Sequence, residues 1–216
     1  MQSTQYIFKN ISKCYNMNIE KPVEKFSLSC TFKYIRSDLY RYAGEVGLRA
    51  FWSNFLLNRS FQYSFWLRLC KSRNVFVYLF ARLIHAHLSK KFLIQIPVAT
   101  NIGYGLYIGH HMCMVISSTA TIGNNCNLSQ FLTIGTNNGS AAMIGDNVYI
   151  GPGVSLVENI TVGSNSTIGA GAVVTRDVPD NSTVAGCPAS VISMTQPGRF
   201  IKNKWSFPKT ENDHFQ

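Results

Sequence analysis

The sequence predicts a β-solenoid preceded by a helical region, and three observations predict it. From Ile144 an aliphatic side chain returns at every sixth position: Ile144, Ile150, Leu156, Val162, Ile168 and Val174. The same beat occurs earlier, at Ile102 and Ile108 and again at Ile116, Ile122, Leu128 and Ile134. An α-helix repeats every 3.6 residues and a half-buried strand every two, so a period of six fits neither. It fits a stacked coil in which one hexapeptide supplies a short strand and a turn, and three close a triangle of about 18 residues. The second observation is a further inward series four residues after each aliphatic: Val148, Val154, Ile160, Ser166, Ala172 and Val178. The third is a change to helical spacing between about Ser37 and Lys91.

Taken in order, residues 1–34 are polar and irregular, which predicts a loosely packed start. Ser37-Asp38 reads as a helix N-terminus, because short oxygen-bearing side chains cap free backbone N–H groups. Further helices are expected over Phe61 to Lys71 and Val75 to Lys90, packed together by Phe65, Trp66, Phe76, Tyr78 and Phe80. Gln95-Ile96-Pro97 begins the solenoid, since Pro97 stops a helix. The predicted organisation is therefore a mostly helical region over 1–94, a solenoid over 95–192 and a polar tail over 193–216. Trp205 and Phe207 in that tail are expected to dock on the outer coils.

Two breaks interrupt the beat. The step from Ile108 to Ile116 is eight residues and holds His110-His111; the step from Ile134 to Ile144 is ten and holds T-N-N-G-S-A-A-M. A stacked ladder tolerates extra residues only at its corners, where they bulge outward and carry binding residues.

The formal charge of +10 is unevenly placed: residues 1–96 hold 15 Lys+Arg against 4 Asp+Glu, and residues 97–216 hold 5 against 6. A basic half is a solvated face or a surface for an anionic partner. No run reaches the roughly 18 uncharged apolar residues of a membrane span. The start, M-Q-S-T-Q-Y-I-F-K-N, lacks a basic segment followed by an apolar one, so a cytoplasmic location is expected. The six cysteines form no CxxC pair and read as reduced thiols.

The segments G-L-Y-I-G-H (105–110), T-I-G-N-N-C (121–126), I-G-D-N-V-Y-I-G-P-G (144–153) and V-T-R-D-V-P-D-N-S-T-V-A-G-C-P-A (174–189) resemble the hexapeptide-repeat acyltransferases. The resemblance is to their serine acetyltransferase-like branch, which includes O-acetyltransferases of bacterial surface polysaccharides. It implies a left-handed parallel β-helix with an N-terminal α-helical domain, a homotrimer, and acetyl-CoA bound between neighbouring prisms. His110 aligns with the family's catalytic histidine, and an imidazole titrating near neutrality suits removal of a hydroxyl proton. His111, Asn137 and Asn138 are expected to line the acceptor pocket. Gly135, Thr136, Gly151, Gly169 and Ala170 match the positions along which the cofactor arm lies, with Arg176 placed to meet a phosphate. For the glycines the alternative is purely structural, because coil corners need them anyway.

Three departures bear on the acceptor. The family's dyad carboxylate aligns with Gln95, whose carbonyl can accept from an imidazole N–H and hold the useful tautomer, whose amide can equally donate and fix the wrong one, and which cannot offset the imidazolium charge. The acidic residue before the catalytic histidine is Gly109 here, and the family's Arg-His pair falls in Ser140-Ala141-Ala142. Without those charges a zwitterionic amino acid is poorly paired. The resemblance therefore implies O-acetylation of a sugar hydroxyl on a capsule, O-antigen or related glycan. The alternatives are N-acetylation of an amino sugar, serine acetylation, or a non-catalytic scaffold. The expected partners are acetyl-CoA and a saccharide acceptor, anionic or lipid-linked, with peripheral membrane contact through Trp66 or Phe76 and no nucleic acid. A metal is not expected: the repeat region offers His110 and His111, with His214 in the tail, where catalytic zinc takes three protein ligands.

Overall fold

The computed structural model describes residues 23–137 and 139–207. Most of the segment expected to be loosely packed, together with Cys14, Asn138 and His214, lies outside these residues.

Among the described residues four helices precede the solenoid: α1 (Leu28–Ala43), α2 (Leu48–Leu57), α3 (Arg59–Leu69) and α4 (Val75–Phe92). The cap of α1 is Ser27, whose Oγ accepts from the Cys30 N–H at 3.2 Å. Ser37 and Asp38 are not a helix start. They are fully buried in the middle of α1, where Ser37 Oγ donates to the Tyr34 carbonyl of its own helix and both side chains accept N–H groups of the first coil. Asn58 caps α3 and Asn74 caps α4 through side-chain oxygens.

The second unit is the expected parallel β-helix. Its first face stacks β1 (Ile94–Gln95), β4 (Met114–Ile116), β7 (Thr133–Gly135), β10 (Ser155–Val157) and β13 (Val173–Val174). The second stacks β2 (Asn101–Ile102), β5 (Thr121–Ile122), β8 (Met143–Ile144) and β11 (Thr161–Val162). The third stacks β3 (Tyr107–Ile108), β6 (Asn127–Leu128), β9 (Tyr149–Ile150), β12 (Thr167–Ile168) and β14 (Thr183–Gly186). Antiparallel β15 (Ala189–Ser193) closes that face. Both inward series are buried, from Ile102 to Val174 and from Val148 to Val178.

Register explains the two breaks. Ile116 pairs with Ile134 and Leu156 with Val174, each one regular coil of 18 residues. Ile94 pairs with Met114 and Ile134 with Leu156, so these coils are longer by two and by four residues. The surplus leaves the ladder at the corners that hold His110-His111 and the 136–142 loop.

The corner between the second and third faces is held by an asparagine column. Asn125, Asn147, Asn165 and Asn181 all adopt positive φ, between 54° and 59°, a conformation asparagine tolerates better than most residues. Asn147 donates to the Asn165 side chain at 3.1 Å, and Asn165 to Asn181 at 3.2 Å.

The helices close the open edge of the first coil, where strand backbone would otherwise be unpaired. Arg68 donates to the carbonyls of Ile102 (2.8 Å) and Gly103 (2.6 Å), Arg41 to that of Gly105 (2.7 Å) and Lys71 to that of Thr100 (2.9 Å). The N–H groups of Gly105, Leu106 and Ile108 donate to Ser37 Oγ, Asp38 Oδ1 and Tyr42 OH. The tail then returns from the far end to the first coils and α1. Trp205 and Asn125 exchange hydrogen bonds of 2.9 and 3.0 Å, Tyr40 meets the Trp205 ring, and Phe207 meets Tyr104.

Phe65 and Trp66 join the helices as expected, Trp66 contacting Phe55, Phe65 and Phe80. Phe76 does not: it is 84% exposed, on the outward stripe of α4. The five described cysteines are free, and no helix among the described residues is long and apolar enough to cross a membrane.

Candidate active site

The two-residue surplus of the first long coil lifts Gly109, His110 and His111 off the corner between the third and first faces. The loop is braced by the Met112 N–H on the His110 carbonyl (2.9 Å) and the Cys113 N–H on the Phe92 carbonyl (3.1 Å). His110 is exposed and lies between two clefts. One, of about 250 Å³, is lined by Tyr107, Asn127, Ser129, Gln130, Tyr149 and Pro152, none of them charged. The other, of about 570 Å³, runs toward the α2–α3 corner past Asn54, Asn58, Arg59, Ser60 and His111. Arg59 is the one formally charged residue in either lining.

His111 turns toward the helices. Its Nδ1 is 3.5 Å from Ser60 Oγ and its ring meets Phe92 edge-on at 4.7 Å. Burial, then Arg59 and His110, hold its pKa below the ordinary imidazole value. Behind the smaller cleft, Arg41 donates to Asn127 Oδ1 at 2.6 Å, and Tyr42 packs on Tyr107 at 4.6 Å. These contacts set the cleft wall from helix α1.

The remaining candidates separate along two edges of the prism. Ile108, Leu128, Ile150 and Ile168 are stacked in register. The residues that follow them therefore share one edge: Gly109-His110, Ser129-Gln130, Gly151-Pro152 and Gly169-Ala170. Ile116, Ile134, Leu156 and Val174 are likewise stacked, which puts Gly135-Thr136, Glu158 and Arg176 on the next edge. Thr136 Oγ1 donates to Glu158 Oε2 at 2.8 Å, and the Asn137 side chain donates to Glu158 Oε1 at 3.3 Å. Gln95 is in register with Val115, five residues beyond His110 along the first face. Within one chain it lines a different groove, with Lys90, Leu93 and Pro97, and shares no hydrogen bond with His110 among the described residues.

The glycines divide by what a Cβ would meet. At Gly151 it would lie 2.8 Å from the Ala170 nitrogen and 2.9 Å from the Ile168 carbonyl, so the stack itself demands glycine. At Gly135 the nearest atom is a Thr133 methyl at 3.9 Å, so the stack makes no such demand there.

Sequence reasoning missed Arg59, Asn54, Gln130, Tyr149 and Glu158. Arg59 carried one local signal, its place as first residue of a helix capped by Asn58. Asn54 reaches the site from α2 through the packing of the helices, and Gln130, Tyr149 and Glu158 reach it only through coil stacking. Among the described residues no group of three or more His, Cys, Asp or Glu side chains is placed to hold a metal.

Residues 141–176 match the family model described as bacterial transferase hexapeptide (six repeats). A serine acetyltransferase of Staphylococcus epidermidis is 36% identical over 171 residues, spanning 77% of this chain and 73% of that protein. The structure of Neisseria gonorrhoeae serine acetyltransferase in complex with serine aligns with a TM-score of 0.62 at 31% identity, over 75% of this chain and 69% of the other. A serine acetyltransferase in complex with CoA aligns with a TM-score of 0.64 at 26% identity, over 76% and 70%. These relatives carry the serine acetyltransferase name rather than that of the polysaccharide O-acetyltransferases suggested by the motifs. With the stacked hexapeptide coils, the helical cap and an identity of this extent, the chain belongs to the serine acetyltransferase family of hexapeptide-repeat acyltransferases and is an acyltransferase.

Proposed function

We propose that the protein transfers an acetyl group from acetyl-CoA to a hydroxyl oxygen, with His110 as general base. The observation that carries this reading is the place of His110 between two clefts, one for each reactant. The acceptor oxygen attacks the thioester carbonyl carbon while its proton passes to the imidazole. The C–S bond then breaks, and the imidazolium returns the proton to the departing sulfur. A base placed in this way is worth about 10²–10⁴-fold in rate.

For the donor, Gly151, Gly169 and Ala170 form a ridge of small residues leading to His110, with successive coils about 4.8 Å apart. Gly135, Thr136 and Arg176 sit on the neighbouring edge. A homotrimer that packs one edge against the next subunit's would bring both sets, and Gln95, into one groove. The CoA complex of a relative supports the choice of donor. A cytoplasmic setting follows from acetyl-CoA as co-substrate.

For the acceptor, the lining favours a hydroxyl compound with one negative charge, such as an acidic sugar of a surface glycan. Arg59, at the positive end of α3, is suited to a carboxylate or phosphate, and neither cleft lining offers a carboxylate for an ammonium group. L-serine is the second reading, favoured by the names of the relatives. Rates with acetyl-CoA and a panel of L-serine, neutral sugars, acidic sugars and amino sugars separate them. The highest kcat/KM is expected with an acidic sugar; a kcat/KM for L-serine above every sugar overturns the sugar reading and leaves the O-acetyltransferase.

A further inference from the structure

The outward face of α4 is apolar for about two turns, from Phe76 to Leu83, and basic in the last. Phe76 (84% exposed), Leu79 (55%), Phe80 (60%) and Leu83 (73%) follow the i, i+3, i+4, i+7 spacing of one helical stripe. His87, Lys90 and Lys91 continue the same face and are also exposed. Trp66 carries the apolar surface across α3: its ring meets Phe80 at 5.8 Å and Phe55 of α2 at 6.4 Å. On α2, Trp52 (54%) and Leu56 (65%) are exposed in turn. A contiguous apolar surface of this kind marks an interaction site.

Charge says what kind. From residue 46 to residue 145 the chain contains no Asp or Glu, while its Lys and Arg residues are Arg49, Arg59, Arg68, Lys71, Arg73, Arg82, Lys90 and Lys91. Arg68 and Lys71 are consumed on first-coil carbonyls. Arg73, Arg82, Lys90 and Lys91 remain exposed on or beside α4. A protein partner that buried this face would have to supply both apolar area and a ring of acids. An anionic bilayer supplies both at once: acyl chains for the aromatics and phosphate headgroups for the cations.

We propose that this face of α4, extended by Trp66 and α2, docks the protein on an anionic lipid surface. The helix lies in the interfacial plane, with Phe76, Leu79, Phe80 and Leu83 inserted and Lys90 and Lys91 on headgroups. The inference does not depend on the identity of the acceptor.

The test is co-sedimentation of the full chain with phosphatidylcholine vesicles and with mixed phosphatidylcholine–phosphatidylglycerol vesicles, with light scattering in parallel. Wild type is expected to bind the mixed vesicles and not the neutral ones. Lys90→Gln with Lys91→Gln should lower that affinity roughly thirtyfold. Phe76→Ser with Leu83→Ser should lower it at least about tenfold. Both pairs are solvent-exposed, so far-UV circular dichroism should be unchanged. Equal binding to both vesicle types, no binding to either, or an apolar variant that splits a larger oligomer while leaving vesicle binding intact would overturn the proposal. The last result would assign the face to a second copy of the chain.

Discussion

Arg68 of α3 and Asp38 of α1 form a buried, two-point ion pair, Nε to Oδ2 at 2.9 Å and Nη2 to Oδ1 at 3.0 Å. Both partners also serve the first coil. Arg68 takes the Ile102 and Gly103 carbonyls, and Asp38 takes the Leu106 N–H at 2.8 Å. Burial raises the Asp38 carboxyl above its ordinary range and the guanidinium works against that rise. The pair is thus the joint between the helices and the β-helix, and its loss strands backbone as well as charge.

Removing one partner should cost roughly 3–5 kcal/mol, the range for an orphaned buried charge. Asp38→Asn and Arg68→Met are each expected to lower the urea midpoint accordingly. Replacing a buried pair by apolar residues is often neutral elsewhere. Here Asp38→Leu with Arg68→Met should stay about as unstable as either single variant, because the coil edge remains unpaired. Recovery to wild-type stability in the double variant would show that the backbone contacts carry nothing.

His110→Ala should lower kcat by about 10²–10⁴-fold with little change in the binding of CoA. His110 is exposed, and its side chain makes no hydrogen bond among those described, so unfolding curves should overlay those of wild type. Near wild-type kcat would remove it from the mechanism.

The two kinds of glycine should respond differently. Gly151→Ala forces a methyl against the next coil and should cost about 1–3 kcal/mol of stability. Gly135→Ala meets no such wall, so it should leave stability unchanged and raise KM for acetyl-CoA several-fold. Equal stability loss at both positions would assign Gly135 to the stack.

Arg59 should make acceptor binding salt-sensitive. Screening acts over about 8 Å at physiological salt, so acceptor KM should rise with ionic strength while KM for acetyl-CoA changes less. In Arg59→Gln the acceptor KM should start higher and stay flat. A wild-type acceptor KM independent of salt would leave the basic N-terminal region with no part in acceptor binding.

His85 is buried between α3 and α4, with Nε2 3.1 Å from Tyr63 OH. Burial, then Arg82, pushes its imidazole down from 6.5 to about 4. The unfolded chain therefore binds the proton first as pH falls. The stabilisation is complete above about pH 6.5 and is lost progressively toward pH 4, by roughly 3 kcal/mol. Urea midpoints measured from pH 7 to pH 4.5 should fall more steeply for wild type than for His85→Gln. Parallel slopes would place the acid sensitivity elsewhere.

The sequence by itself determined the β-helix, its coil length, both corner insertions and the histidine at the first of them. A stacked coil writes its geometry into a strict period, so every inward aliphatic from Ile102 to Val174 was readable, and each excess residue appeared as a miscount. Helix starts were less readable. Ser37-Asp38 has the composition of a cap, yet tertiary contact outweighed local preference and spent both side chains on Gly105 and Leu106, while Ser27 capped the helix. Only the tertiary structure decided which candidates meet. His110, Gly151, Gly169 and Ala170 share one edge because their coils stack in register, whereas Gly135, Thr136 and Arg176 turn the next corner. Arg59 reaches the His110 cleft because Asp38, Arg41 and Arg68 clamp the helices onto the first coil, through contacts separated by about thirty residues or more along the chain. Periodicity records what repeats along the chain; contacts made once, between distant residues, leave no period to read.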